Sequence, residues 1–249
     1  MNLFEKDPFL IVARLQPFWV ACMLTTAVWG YWSARLRTIR EPLFAGFLIF
    51  TAGIAGLATI QPSQSTNAVV FAALAGIGFG APLILIITGV QLSTPHQLIA
   101  TATAVTTSSR AVAATVFTAI YAAAFSSRID VNLPTYVGKA ATEAGLPRTS
   151  LQDFVGAVAR GDSSALSKIP GSNSTIVTSG LQALRTAFTD SVRVVYIIAV
   201  PFGVLACIAC LFLGDLGGTM DYHVDAPLES IHAESHREEN SAMQSLEQH

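Results

Sequence analysis

Charge is what this chain has least of. Only 14 of its 249 residues are Lys or Arg and 16 are Asp or Glu, 12% together, where a soluble globular chain carries about 25%. That deficit excludes an ordinary water-soluble domain. The net charge of −2 leaves no basic excess to neutralise phosphates, which excludes nucleic acid as a partner. Cysteine is equally sparse: Cys22, Cys207 and Cys210 all lie in apolar stretches. The last two form a C-x-x-C, a spacing that suits redox chemistry or metal binding. Inside an apolar helix, with no His or carboxylate nearby, the pair reads instead as small packing residues. His223, His232, His236 and His249 are not spaced as metal ligands, so neither a metal nor a cofactor is expected. No apolar run carries a cluster of His, acid or nucleophile able to do acid–base chemistry, which argues against an enzyme. A signal peptide is excluded because Glu5, Asp7 and Arg14 interrupt its charged and apolar regions.

Long apolar runs are what the chain has instead. Hydrophobic residues make up 52% of it and its mean hydropathy is +0.54. Runs close to the ~20 residues a spanning helix needs occur at 18–32, 43–60, 68–90, 98–125 and 194–213. They predict an all-α, polytopic membrane helix bundle of about five spans, with the lipid bilayer as its solvent. The first run is short unless it begins near Leu15, and Trp19, Trp29, Tyr31 and Trp32 supply interfacial aromatics at its ends. Pro42 and Pro62 bound the second. Short loops between the first four make those helices antiparallel neighbours.

Arg35, Arg37 and Arg40 crowd the first connection, which the positive-inside rule places in the cytoplasm. Alternation then puts residues 1–17 and the long 126–191 loop outside and the tail, 214–249, inside. The tail is acidic and poor in aromatics, so disorder is expected there. In the outer loop, Ser150 and Asp153 resemble a capping box opening a helix over 151–160. Val177, Leu181, Leu184 and Phe188 mark a second apolar stripe. Between them, Asn173-Ser174-Thr175 is a glycosylation acceptor on the side where the glycosylating enzyme works.

Arg110 interrupts the fourth run, with twelve uncharged residues before it and fifteen after it. At 1.5 Å per residue its guanidinium lies roughly 18–22 Å from either end, beyond snorkelling reach. An intramembrane charge of this kind faces water, a partner or a substrate. The other arrangement lays 98–110 along the membrane surface and inserts only 111–125, which is short for a span. Thr103, Thr106 and Thr107, together with Thr101, Ser108 and Ser109, gather hydroxyls beside the arginine. They read as the wall of a hydrated pathway, or as side chains bonded back to their own helix. None of the five runs contains Asp or Glu. A partner for Arg110 must therefore be a backbone carbonyl, water, an anionic substrate or a residue of protein outside this chain. In the third run Gly76 and Gly80 stand four apart, just ahead of Pro82. That pattern permits close helix approach and a kink, serving packing or gating. Run four has a small-residue face of Ala111, Ala114 and Thr118, and run five carries Pro201 and Gly203.

The stretch Gly89-Val-Gln-Leu-Ser-Thr-Pro-His-Gln-Leu-Ile-Ala-Thr-Ala-Thr-Ala continues through Ser108-Ser-Arg-Ala-Val to Ala119-Ile-Tyr. Together with Phe212-Leu-Gly-Asp-Leu and Met220-Asp-Tyr-His-Val-Asp-Ala-Pro-Leu-Glu, it resembles fungal major facilitator transporters. Within them it is similar to the fourteen-span branch of trichothecene efflux pumps and siderophore-iron transporters. The resemblance covers about 17–233. It implies the last five spans of fourteen, from the C-terminal part of a major facilitator fold. It also implies a toxin, drug or siderophore as small-molecule substrate, and an integral multi-pass protein, in the plasma membrane. Such transporters bind substrate between two halves that rock against each other, and the proton-coupling acids commonly lie in the N-terminal half, missing here. The cytoplasmic Gly-x-x-x-Asp-Arg-x-Gly-Arg signature is matched at Gly30 and Arg35, while Ala34 and Arg37 replace its Asp and second Gly. Ala113 and Ala114 stand where the family often has glycine. Two functional readings follow. One is the C-terminal portion of a proton-coupled exporter or siderophore carrier. The other is a non-transporting membrane subunit or truncated gene product that binds or regulates another membrane protein.

Overall fold

The computed structural model describes residues 16–61, 64–161, 166 and 169–214. The tail beyond 214 and the segment before Gln16 lie outside the described residues, so the expected disorder and outer placement of those segments do too. Among the described residues there are six α-helices and no strand: α1 Gln16–Leu36, α2 Arg40–Ala58, α3 Ser65–Leu92, α4 Ile99–Glu143, α5 Leu151–Arg160 and α6 Ser174–Leu211. Short 3₁₀ turns at His96–Leu98 and Arg148–Ser150 lead into α4 and α5. Helices α2, α3, α4 and α6 are long and apolar enough to cross a membrane. Helix α1 has the length, at 21 residues, but its three Trp, one Tyr and two Thr make it less apolar.

The bundle is layered about α3. Helices α1 and α2 pack along its two sides, α6 packs along α2, and α4 lies against α6 and touches α3. Small residues set these approaches. A Cβ on Gly76 would collide with the carbonyl of Phe18 in α1, and one on Gly78 would collide with the Phe50 backbone in α2. Alternate glycines of a single helix thus serve opposite faces. Gly203 in α6 admits Thr51 of α2 in the same way. Around these contacts Trp29, Ile39, Leu43, Ala81, Leu85 and Cys210 form the main core of the bundle.

The segment 126–191, expected as a long connection carrying two amphipathic helices, is largely helical where it is described. Helix α4 continues past Phe125 to Glu143, and α6 begins at Ser174, about 20 residues before the apolar run does. Hydropathy marks where lipid ends, whereas a helix ends where its carbonyls are capped. For α4 that happens at Gly145 (φ 96°), where Gly145 N–H donates to the Thr142 carbonyl and Leu146 N–H to Ala141. The two extensions and α5 enclose a second core of Val137, Ala141, Leu146, Phe154, Ala157, Val158, Leu166 and Ile176. Helix α5 occupies Leu151–Arg160 and stops at Gly161 (φ 67°), but the Ser150 side chain makes no capping bond. The fully buried seam of α6 runs through Ile176, Gly180, Ala187 and Ser191, and from the Val177, Leu181, Leu184 and Phe188 stripe Val177 and Leu184 pack half-buried against the same core. Small residues win the inner positions because the helices approach closely: a Cβ on Gly180 would stand 2.8 Å from the Phe154 ring.

A polar clamp joins this extension to the bundle. Tyr136 of α4 donates to Asp190 Oδ2 of α6 at 3.0 Å. The other oxygen of Asp190 stands 3.3 Å from Arg193. Arg193 in turn donates to the Ala58 carbonyl at 2.9 Å and to Ile60 at 3.3 Å, at the C-terminal end of α2. The guanidinium thereby satisfies carbonyls that a helix end leaves without donors. One turn away, Asn132 donates to Ser191 at 3.1 Å. The hydrogen bond to Asp190, and the carboxylate's charge, push the Tyr136 phenol above its ordinary value, so at neutral pH it stays protonated and donating.

Candidate functional site

Arg110 lies eleven residues into α4, roughly 16 Å along the helix. Thr103, Thr106, Thr107 and Arg110 are spaced three and four apart, so one face of α4 presents all of them. Thr103, Thr106 and Arg110 are half-buried while Thr107 is exposed. The same half-buried stripe continues to Phe117 and Tyr121, where Phe117 packs edge-on against Phe202 of α6, ring centroids 4.8 Å apart.

The hydroxyls do not converge on the arginine. Thr106 donates to the Ala102 carbonyl at 2.8 Å, Thr107 to Thr103 at 2.9 Å and Ser109 to Thr106 at 2.9 Å. Their donor capacity is used within the helix, which favours the self-bonded reading over a wall of donors facing a pathway. Thr103 differs: its hydroxyl accepts from Gln91 of α3 at 3.3 Å, tying the N-terminal part of α4 to α3. Arg110 makes no hydrogen bond or ion pair among the described residues. Around it α4 is only partly covered: no residue from Ile99 to Tyr136 is buried. Its small face, Ala111, Ala114 and Thr118, is fully on the open side.

The glycine and proline positions form a second element. Pro82 sits inside α3, which remains helical to Leu92. Lacking an N–H, Pro82 leaves the Gly78 carbonyl without its helical donor. The neighbouring Ile77 carbonyl receives Trp29 Nε1–H from α1 at 2.8 Å and the Thr25 hydroxyl at 3.3 Å. Gly80 is where α1 comes near enough for this, since a Cβ there would lie 2.7 Å from Thr25 Oγ1. The α1 donors therefore brace α3 at its proline. Sequence reasoning passes over Trp29 as an interfacial anchor, although an indole one turn inside a span next to threonines is itself the signal of a buried donor seeking a carbonyl.

The residues of the signature around the α1–α2 connection separate. Gly30 is not a close-approach glycine, for an added Cβ would meet only Ile84 at 3.7 Å, and Arg35 is exposed. Arg37 is the structurally telling position. It adopts φ 52°, and Thr38 N–H reaches back to the Ser33 carbonyl at 3.3 Å, the closure of a Schellman turn with Arg37 at its left-handed residue. The buried Ser33 hydroxyl reinforces it by donating to the Thr38 carbonyl at 2.8 Å. Arginine occupies the left-handed site that glycine fills in the signature, and the turn survives the exchange. Arg37→Gly is accordingly expected to be more stable than Arg37→Ala by roughly 1 kcal/mol, read as the difference in thermal midpoint in detergent. Both variants remove the same side-chain contacts, so an equal or reversed ranking would show that the backbone is unstrained. Beside this turn is a concavity of about 880 Å³ lined by Leu36, Arg37, Thr38, Arg40, Glu41, Phe44 and Leu211. It includes neither Arg110 nor the three threonines.

Residues 18–241 match the family described as fungal trichothecene efflux pump (TRI12). The chain is similar to the trichothecene efflux pump TRI12 of Fusarium sporotrichioides, 26% identical over 76% of this chain and 32% of that protein. It is also similar to the MFS-type transporter prx5 of Penicillium rubens, 28% identical over 66% of this chain and 29% of that protein. The chain thus spans about a third of the length of these curated relatives. No solved structure matches it. Four membrane-length apolar helices, the α4 stretch around Arg110 and a match over nearly the whole chain lead to one conclusion: this integral membrane protein belongs to the fungal trichothecene efflux pump family.

Proposed function

We propose that the chain is the C-terminal part of a major facilitator exporter that moves small, toxin-like organic molecules out across the plasma membrane in exchange for protons. The observation that carries this is the open side of α4. A membrane-length helix with no buried residue from Ile99 to Tyr136, and with an arginine on its half-buried seam, is built to meet more protein than these spans supply. The complementary half of a two-halved transporter is the surface that fits, and substrate then lies between the halves. The names of both relatives favour transport over a regulatory subunit, and that of the Fusarium sporotrichioides protein favours efflux over siderophore uptake. In this arrangement the Arg35, Arg37 and Arg40 turn is cytoplasmic, and α5 with the ends of α4 and α6 stands outside the cell.

The test is flux into proteoliposomes. The purified chain alone is expected to move no toxin-like substrate. Co-expression with the N-terminal spans of a homologous exporter is expected to restore proton-dependent flux. Substrate-dependent transport by the chain alone would refute the reading, and so would failure of every tested N-terminal half to associate with it.

A further inference from the structure

We infer that Asn173 is an N-glycosylation site, an inference that rests on the outward placement of the α5 region proposed above. Asn173-Ser174-Thr175 is the only Asn-x-Ser/Thr in the chain. The structure puts it where the modification can occur and be kept. All three residues are exposed, and Ile176, immediately after them, is the first side chain anchored in the core. Asn173 has extended backbone, φ −125° and ψ 158°, at the N-cap of α6. From there α6 rises through 20 residues to Arg193 at the clamp, roughly 30 Å, so a glycan at this tip stands clear of the bilayer.

The side-chain chemistry is compatible in a specific way. Asn173 Oδ1 accepts the Ser174 N–H at 2.6 Å and the Ser174 hydroxyl at 3.2 Å. Only the oxygen can accept from a backbone N–H, which fixes the orientation of the amide. Nδ2 is therefore the atom left for reaction, with no hydrogen bond among the described residues. In the transfer, Nδ2 bonds to the anomeric carbon of a lipid-pyrophosphate-linked oligosaccharide, the bond from that carbon to the pyrophosphate oxygen breaks, the amide loses one proton to a base of the glycosylating enzyme, and the lipid pyrophosphate leaves. No electrons change hands. The N-linked amide keeps its carbonyl oxygen, so the α6 cap survives glycosylation.

The experiment is translation of the full chain into endoplasmic-reticulum microsomes, followed by electrophoresis with and without peptide N-glycosidase. A single band shift is expected for the native sequence and for Thr175→Ser, and none for Asn173→Asp or Thr175→Ala. Asn173→Asp keeps an oxygen acceptor at the cap, so its loss of shift is not a folding defect. Absence of a shift in the native chain would overturn the inference. Asn173→Cys in a variant with Ser at 22, 207 and 210, labelled in intact cells with a membrane-impermeant maleimide, separates the two causes. Labelling without glycosylation would overturn the glycan site alone, while no labelling and no glycan would overturn the outward placement as well.

Discussion

Arg110→Ala, introduced with the remaining spans of the transporter present, is expected to reduce transport roughly ten- to a hundredfold while leaving surface expression unchanged. The magnitude is that of one or two charge-assisted hydrogen bonds, about 1.5–3 kcal/mol. Arg110 makes no hydrogen bond or ion pair among the described residues and stands half-buried on a stretch of α4, Ile99 to Tyr136, in which no residue is buried. Its removal therefore breaks no polar contact seen here, and the loss falls on whatever the guanidinium meets beyond these spans. Arg110→Lys is expected to recover only part of the activity, because an ammonium cannot offer two parallel donors to one carboxylate or anion. An arginine serving merely as an interfacial anchor would be replaced almost fully by Lys. Flux at matched surface expression decides between these, and near-native transport by Arg110→Ala would remove the residue from the mechanism.

The sequence yields the apolar helices well because lipid imposes a composition that needs no tertiary information: α2 and α3 begin and end within three residues of the apolar runs at 43–60 and 68–90. It fails where α4 ends and α6 begins, and for a physical reason. Residues 126–143 and 174–191 carry enough polar side chains to leave the membrane, yet their helices are held by contacts between residues distant in sequence. Val137 meets a core containing Phe154 and Ile176, and Tyr136 meets Asp190. Hydropathy along the chain cannot report such pairings. The clamp goes unread in the sequence, where Asp190 and Arg193 stand three apart just before an acid-free span. Its ties to Tyr136 and to the end of α2 exist only in the fold. At the candidate site Thr103, Thr106, Thr107 and Arg110 share one face of α4 because helical spacing is local. What each hydroxyl meets is not local for Thr103, whose oxygen accepts from Gln91 of α3.

The same distinction ranks three glycines that look alike in sequence. Gly76→Ala is expected to be the most damaging, Gly80→Ala intermediate and Gly30→Ala harmless. At Gly76 the added methyl would collide with the Phe18 carbonyl, a backbone atom that moves only if α1 moves. Displacing α1 also stretches the bonds from Trp29 and Thr25 to the Ile77 carbonyl, now 2.8 and 3.3 Å, beside the proline that already costs α3 one donor. Overpacking of this kind costs about 1–3 kcal/mol, and the strained brace brings Gly76→Ala to the upper end of that range. At Gly80 the nearest atom is Thr25 Oγ1, 2.7 Å away, a side chain that can rotate, but only by giving up its 2.7 Å bond to the Ala21 carbonyl. Gly30 meets nothing closer than 3.7 Å, and within α1 alanine is the better helix former by roughly 0.5–1 kcal/mol. Thermal midpoints in detergent, measured on all three variants, should therefore fall furthest for Gly76→Ala and stay level or rise for Gly30→Ala. If Gly76→Ala were as stable as the native chain, the α1–α3 contact would not be what holds this side of the bundle together.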